Sequence, residues 1–211
     1  MKTIILVRHG ESETNVQKVF TGQLNAALTQ KGKTQAQLMA QYVERYKVDK
    51  IYVSSLQRAV DTARPIAEKQ GCPVEQTDAF REIYAGLWQG LTFDEIAEKY
   101  PQTHRVWRTD MGNAAPDGGE TVAEFYDRVT GLFEKIVLHG PEETVCIVAH
   151  ATPIRMIESY IKGRSPLLAK DIPWVPNASV TVYCYDGEFY CDVHGHCDFL
   201  GEIQTHLPII I

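Results

Sequence analysis

The chain has 211 residues, 44% of them hydrophobic, and a formal net charge of −6. This length is enough for a sizeable core, and we expect one domain over residues 1–211. An acidic balance without a basic tract excludes the classes of protein that bind DNA, RNA or anionic membranes through positive charge, and it leaves the oligomeric state open.

The N-terminal apolar run covers only residues 3–7, between Lys2 and Arg8. It is too short for the core of a signal peptide or for a membrane span. We therefore expect a cytoplasmic protein.

Buried strands and helices alternate along the chain. β-branched and apolar runs predict strands at residues 3–7, 50–53, 144–149 and 178–185. Predicted helices begin at Thr29 and run to about residue 46, at Ser55 with a bend or break at Pro65, and at Thr152, ending near residue 163. This alternation indicates an α/β fold with a mostly parallel central sheet.

Two segments depart from the alternation. Asp186-Gly187 lies between two β-rich runs and predicts a hairpin, which adds an antiparallel edge strand. Residues 91–119, called the lid segment below, are the least regular part of the chain. They predict a small insertion over one face, with a short helix at 93–100.

The odd number of cysteines, five, favours reduced thiols over a disulfide framework. Cys191, His194, His196 and Cys197 lie close together in the sequence and carry the ligand types that zinc prefers. Strand alternation places Cys191 and His194 on opposite faces, so we expect no metal site there.

Charged residues follow the predicted strands. Arg8 and His9 end the first, Arg58 lies in the first helical turn after the second, and His150 follows the third. Because ligands of open α/β sheets bind beyond the carboxyl ends of the strands, these side chains should form one cationic pocket. Such a pocket suits a small dianion such as a phosphoryl group.

The residues around His9 resemble the signature of a known family. Residues 6–15 read LVRHGESETN, which is similar to the motif of the histidine phosphatase superfamily, to which cofactor-dependent phosphoglycerate mutases also belong. The resemblance continues in the family's order through residues 21–23, 28–29, 54–59, 80–82, 86–90 and 148–150. It implies a three-layer α/β/α sandwich without a metal or other cofactor.

The resemblance also implies roles for individual residues. His9 corresponds to the nucleophile, Glu82 to the general acid, and Arg8, Arg58 and His150 to the pocket for the transferred group. Substrate contacts are implied for Asn15, Thr21, Gly22, Gln23 and Ala151. Ala151 departs from the glycine that many members have after the second histidine, although its backbone N–H can still bind an oxygen.

These roles are chemically consistent. A neutral imidazole is a competent nucleophile near pH 7. The arginines and a protonated His150 can offset the negative charge of the phosphoryl oxygens, which magnesium offsets in other phosphoryl-transfer enzymes. Glu82 can give a proton to the leaving group and later take one from water. We expect nearby cations to lower the Glu82 pKa and a bound phosphoryl dianion to raise it.

The expected function is metal-independent hydrolysis of phosphomonoesters of small phosphorylated metabolites. The alternative is a phosphoglycerate mutase, but mutases of this family carry a longer insertion and an Asn-Glu-Arg-His-Tyr-Gly motif where this chain reads REIYAG at residues 81–86. A non-catalytic interaction module is a third reading. It is expected to have lost His9, Arg58, Glu82 or His150, and the chain retains all of them.

Overall fold

A computed structural model of the chain describes residues 1–205. Within these residues a single six-stranded sheet has the strand order β3-β2-β4-β1-β5-β6. The strands are β1 Lys2–Arg8, β2 Lys50–Ser54, β3 Val74–Thr77, β4 Thr144–Ala149, β5 Val180–Tyr185 and β6 Phe189–His196.

The sheet is mostly parallel, as predicted. β1 pairs in parallel with β4, β4 with β2, and β2 with β3. β5 runs antiparallel to β1, and the predicted hairpin at Asp186-Gly187 adds β6 at the edge. β3 was not predicted, because this exposed edge strand has only one large apolar residue, Val74.

Helices cover both faces of the sheet. They are α1 Glu13–Val16, α2 Gln30–Val43, α3 Gln57–Gln70, α4 Phe93–Lys99, α5 Pro101–Thr109, α6 Val122–His139 and α7 Ala151–Gly163. Short 3₁₀ helices lie at Glu44–Tyr46, Gly86–Trp88, Met111–Asn113, Pro166–Asp171 and Asp198–Ile203. None of the helices in residues 1–205 has the length and apolar character needed to cross a bilayer.

The strand pleat divides the core into two clusters. Ile4 and Leu6 of β1 join α6 and α7 in one cluster, whereas Ile5 and Val7 join α2 and α3 in the other. Alternate residues of a strand point to opposite faces, so β1 must be apolar on both. The result is the expected three-layer α/β/α sandwich.

Two of the three predicted helix starts are wrong by one or two residues. Thr29 caps α2 as predicted, accepting a hydrogen bond from the Gly32 N–H. α3 instead has Leu56 at its N-cap and continues through Pro65, while Ser55 hydrogen-bonds Asp78. α7 has His150 at its N-cap, because the chain turns directly from β4 into the helix.

The lid segment contains the predicted short helix, α4, and a second one, α5. Both α4 and α6 begin with a capping box, formed at Thr92 and Thr121. Two aromatic rings of the lid segment pack against Phe20. Phe93 is tilted, with ring centroids 5.8 Å apart, and Trp107 is edge-on, with ring centroids 5.5 Å apart. The lid segment is thereby anchored to the loop that follows α1.

The cysteine- and histidine-rich stretch at residues 191–197 does not converge on one point. His194 pairs with Glu158 at 3.0 Å, whereas the His196 ring lies against Tyr42 and Phe199. Cys197 is buried among apolar side chains. All five cysteines are free thiols.

Candidate active site

The carboxyl ends of β1, β2 and β4 meet at one edge of the sheet, where a cavity of about 860 Å³ opens. β1 delivers Arg8 and His9, α3 delivers Arg58, and the loop after β3 delivers Glu82. These four side chains line the cavity together with four of the five predicted substrate-contact residues, namely Asn15, Thr21, Gly22 and Ala151.

The hydrogen bond of His9 defines which ring nitrogen is free. Nδ1 lies 2.7 Å from the carbonyl oxygen of Gly10, which can only accept, so Nδ1 carries the proton. Burial, followed by the charges of Arg58 and Arg8, holds the His9 pKa well below its usual value. The ring is therefore neutral at pH 7, and Nε2 keeps its lone pair.

His150 lies next to His9, with ring centroids 5.0 Å apart, but behind the cavity wall and fully buried. Its Nδ1 accepts from Arg58 Nε at 3.2 Å, so its Nε2 donates to Ser54 Oγ at 2.7 Å. Burial and the charge of Arg58 hold the His150 pKa well below its usual value. The expectation of a protonated His150 is wrong, because burial disfavours the charged ring.

The two arginines are charged at neutral pH despite their burial. Burial lowers the pKa of Arg8 and of Arg58 to about 10, and nearby Glu82 opposes the shift. Arg58 is fixed by the carbonyls of Leu24 and Gly22, each at 2.8 Å. Arg8 donates to the Val175 carbonyl at 2.6 Å, and its buried Nε has no partner within residues 1–205.

Glu82 lines the cavity together with the two arginines. Its Oε1 accepts from the Ile83 N–H at 2.8 Å and its Oε2 from the Thr152 N–H at 3.4 Å. Burial raises the Glu82 pKa, opposed by these hydrogen bonds and by Arg58. The charge of Arg58 lowers this pKa as expected, but the net shift is upward because the loss of hydration outweighs it.

Polar side chains beside the cavity hydrogen-bond to one another. Thr21 donates to Thr14 at 2.6 Å, and Asn15 Oδ1 accepts from Asn177 at 3.1 Å. Gln23 does not line the cavity. Its amide nitrogen lies 3.2 Å from the Glu82 carbonyl oxygen, so it contacts the glutamate backbone.

The cavity is also lined by residues outside the predicted site. Phe93 and Trp107 come from the lid segment, and Arg155, Lys170 and Trp174 come from α7 and the segment after it. The Arg155 guanidinium lies 4.0 Å from the centre of the Trp174 ring. Helical spacing from Thr152 could have indicated Arg155, but Trp174 lies in irregular backbone that no periodicity marks.

Comparison with known proteins identifies the family. Residues 4–194 match the model of the histidine phosphatase superfamily, branch 1. Phosphoserine phosphatase 1 of Hydrogenobacter thermophilus is 35% identical over 210 residues, which covers 92% of this chain and 99% of that protein.

Solved structures agree with this match. A mycobacterial glucosyl-3-phosphoglycerate phosphatase in complex with VO3 superposes with a TM-score of 0.84 at 28% identity, over 92% of this chain and 99% of that chain. The YhfR protein of Bacillus stearothermophilus gives a TM-score of 0.88 at 29% identity, over 95% and 100%.

The chain therefore belongs to the histidine phosphatase superfamily, whose model spans most of its length. Within that superfamily, the protein is a phosphatase.

Proposed function

We propose that this phosphatase hydrolyses phosphomonoesters of small metabolites through a phosphohistidine on His9, with Glu82 as general acid and base. The observation that carries the proposal is the hydrogen bond from His9 Nδ1 to the Gly10 carbonyl at 2.7 Å. It leaves the Nε2 lone pair free on a cavity wall that also contains the charged Arg8 and Arg58.

In the first half-reaction, His9 Nε2 attacks phosphorus and the bond from phosphorus to the ester oxygen breaks. Protonated Glu82 gives its proton to the leaving oxygen, which departs as an alcohol. Arg8 and Arg58 offset the charge on the nonbridging oxygens, because phosphoryl transfer depends mainly on positioning and electrostatic stabilisation.

In the second half-reaction, water attacks phosphorus and the phosphorus–nitrogen bond breaks. Glu82, now ionised, takes a proton from the water, and inorganic phosphate leaves. Its carboxyl group is thereby protonated again, and His9 returns to its neutral form. The raised Glu82 pKa supports the first role, since it keeps the acid form to higher pH than in a free glutamate.

His150 acts through Arg58 in this scheme. Its Nδ1 accepts from Arg58 Nε, which holds the guanidinium plane toward the cavity. The His150 ring stays neutral in this role, because a protonated Nδ1 could not accept from Arg58. Asn15, Thr21, Gly22 and the Ala151 N–H contact the substrate around the phosphoryl group.

The cavity supports a substrate larger than the phosphoryl group alone. Its volume of about 860 Å³ continues past His9 to Trp107, Trp174 and Arg155. This wall offers aromatic surface and positive charge to the rest of the metabolite. Two relatives are named for phosphoserine and for glucosyl-3-phosphoglycerate, both small phosphorylated metabolites.

The alternative, a phosphoglycerate mutase, uses the same phosphohistidine but must keep water from it. The test is product partitioning with 3-phosphoglycerate and a trace of 2,3-bisphosphoglycerate, together with a panel of phosphorylated metabolites. We expect inorganic phosphate from at least one panel substrate to form faster than 2-phosphoglycerate. Formation of 2-phosphoglycerate much faster than phosphate from any panel substrate overturns the hydrolase in favour of the mutase.

A further inference from the structure

The loop that carries Glu82 is held by an arginine from a different layer of the fold. Arg128 of α6 directs Nη1 at the carbonyl oxygens of Asp78, Ala79 and Arg81, at 3.0, 2.9 and 3.2 Å. Its Nη2 lies 3.5 Å from the carbonyl oxygen of Glu82 itself. One guanidinium thus contacts four carbonyl oxygens within residues 78–82.

Glu120 completes this arrangement. It accepts from Arg128 Nη2 at 2.6 Å and from Nε at 3.2 Å, and it also accepts from the Tyr84 N–H at 2.7 Å. The Glu120 N–H donates to the Tyr84 carbonyl at 2.9 Å. Arg128 and Glu120 therefore hydrogen-bond to the loop backbone on both sides of Glu82.

The backbone segments that contain Tyr84 and Gly119 lie unusually close to each other. A Cβ added at Gly119 would lie 2.3 Å from the Tyr84 carbonyl oxygen, so only glycine fits between the two segments. Arg128 and Glu120 are 25% and 18% exposed, which makes their pairing stronger than that of a fully solvated ion pair.

We propose that Arg128, together with Glu120, is a positioning residue that sets the distance from the Glu82 carboxyl group to the substrate's leaving oxygen. The inference rests on the proposed function of Glu82 as general acid. Lysine cannot replace Arg128, because a single ammonium cannot reach the carbonyls and Glu120 in the same fork geometry.

A positioning role has a signature that a purely structural role lacks. If Arg128 acts through Glu82, its loss slows phosphoryl transfer to His9 from esters whose leaving group needs a proton, such as alkyl phosphates. Transfer from p-nitrophenyl phosphate, whose leaving group departs without a proton, should change far less. A general loss of folding lowers both rates equally.

The experiment compares Arg128→Lys, Glu120→Gln and Glu82→Gln, each with an alkyl phosphate and with p-nitrophenyl phosphate. For Arg128→Lys we expect kcat/KM on the alkyl phosphate to fall about 10- to 100-fold, since a small misplacement of a catalytic group costs this much. The comparison uses kcat/KM because it reports only the first half-reaction, whereas kcat also contains the dephosphorylation step that both substrates share. The double variant Arg128→Lys/Glu82→Gln should be no slower than Glu82→Gln alone. Arg64→Lys is the matched control, because Arg64 is 60% exposed on α3 and pairs only with Asp61 among residues 1–205.

The outcomes separate the two claims. Equal losses on both substrates in Arg128→Lys, with a leaving-group-dependent loss in Glu82→Gln, overturn the positioning role and leave the proposed function intact. If Glu82→Gln itself shows no dependence on the leaving group, the acid role of Glu82 and this inference both fail. Should Arg128→Lys not fold by circular dichroism, Glu120→Gln decides by the same comparison.

Discussion

His9 and His150 lie edge to face with ring centroids 5.0 Å apart, and Arg58 contributes to lowering the pKa of both. Each ring also has a fixed partner, the Gly10 carbonyl for His9 and Ser54 for His150. Two adjacent imidazoles beside buried arginines are thereby held neutral.

The first prediction concerns stability at mildly acidic pH. The unfolded chain takes up protons on these histidines below about pH 6.5, whereas the folded protein does not, so the free energy of unfolding falls as pH falls. The slope is about 1.4 kcal/mol per pH unit for each histidine within that window. Urea unfolding at several pH values between 5 and 7.5 measures it.

A variant identifies the source of that slope. His150→Asn should reduce the pH dependence by about the contribution of one histidine. His139→Asn, at the exposed end of α6, is the control for replacing a histidine outside the site. A His150→Asn protein with the same pH dependence as the parent contradicts a depressed His150 pKa.

The second prediction concerns the pH profile of catalysis. Because burial raises the Glu82 pKa, its acid form persists above the pH at which a free glutamate ionises, and the rate falls as pH rises through that value. Glu82→Gln should lower kcat/KM on an alkyl phosphate by about 10²- to 10⁴-fold and lose that alkaline decline. Glu75→Gln on the exposed strand β3 serves as the control. An unchanged alkaline decline in Glu82→Gln assigns the titration to another group.

Substitution by alanine at two glycines should change the stability of the protein in opposite directions. A Cβ at Gly10 would lie 2.5 Å from the backbone oxygen of Gly32, so Gly10→Ala must displace the carbonyl that orients His9. We expect it to destabilise the protein by about 1–3 kcal/mol and to remove most activity. Gly131→Ala in α6 meets no atom within 4 Å and should stabilise by about 0.5–1 kcal/mol without changing activity.

Thermal unfolding and initial rates of both variants check this pair. Retention of full activity in Gly10→Ala contradicts the orienting role of the Gly10 carbonyl.

The sequence predicted the parts of the fold in which a local pattern and a tertiary requirement coincide. Strands β1 and β4 are apolar on both faces because helices cover both, and their ends place Arg8 and His150 where the motif indicates. β3 escaped prediction because an exposed edge strand has little apolar signal.

Two features of the site could not be predicted from the sequence: pKa shifts that depend on burial, and contacts between residues distant in the chain. The directions of the Glu82 and His150 pKa shifts depend on how much water the folded chain excludes, which no residue pattern shows. Trp174 reaches the cavity from irregular backbone, and Arg128 reaches the Glu82 loop across 46 positions of sequence.

A further prediction concerns metal ions. Arg8 and Arg58 remain charged at neutral pH and supply positive charge at the position that a phosphoryl group would occupy. Incubation with a chelator should therefore leave kcat and KM unchanged. Loss of activity in chelator, with recovery on adding one particular metal, contradicts this account of charge stabilisation.

The most direct test of the account is the covalent intermediate on His9. The protein is mixed with ³²P-labelled substrate and quenched in alkali within the first turnover. We expect protein-bound phosphate that is stable in base, labile in acid and located on His9 by peptide mapping, with neither label nor turnover in His9→Ala. Turnover by a His9→Ala protein free of contaminating phosphatase, or label on another residue, would contradict His9 as the nucleophile.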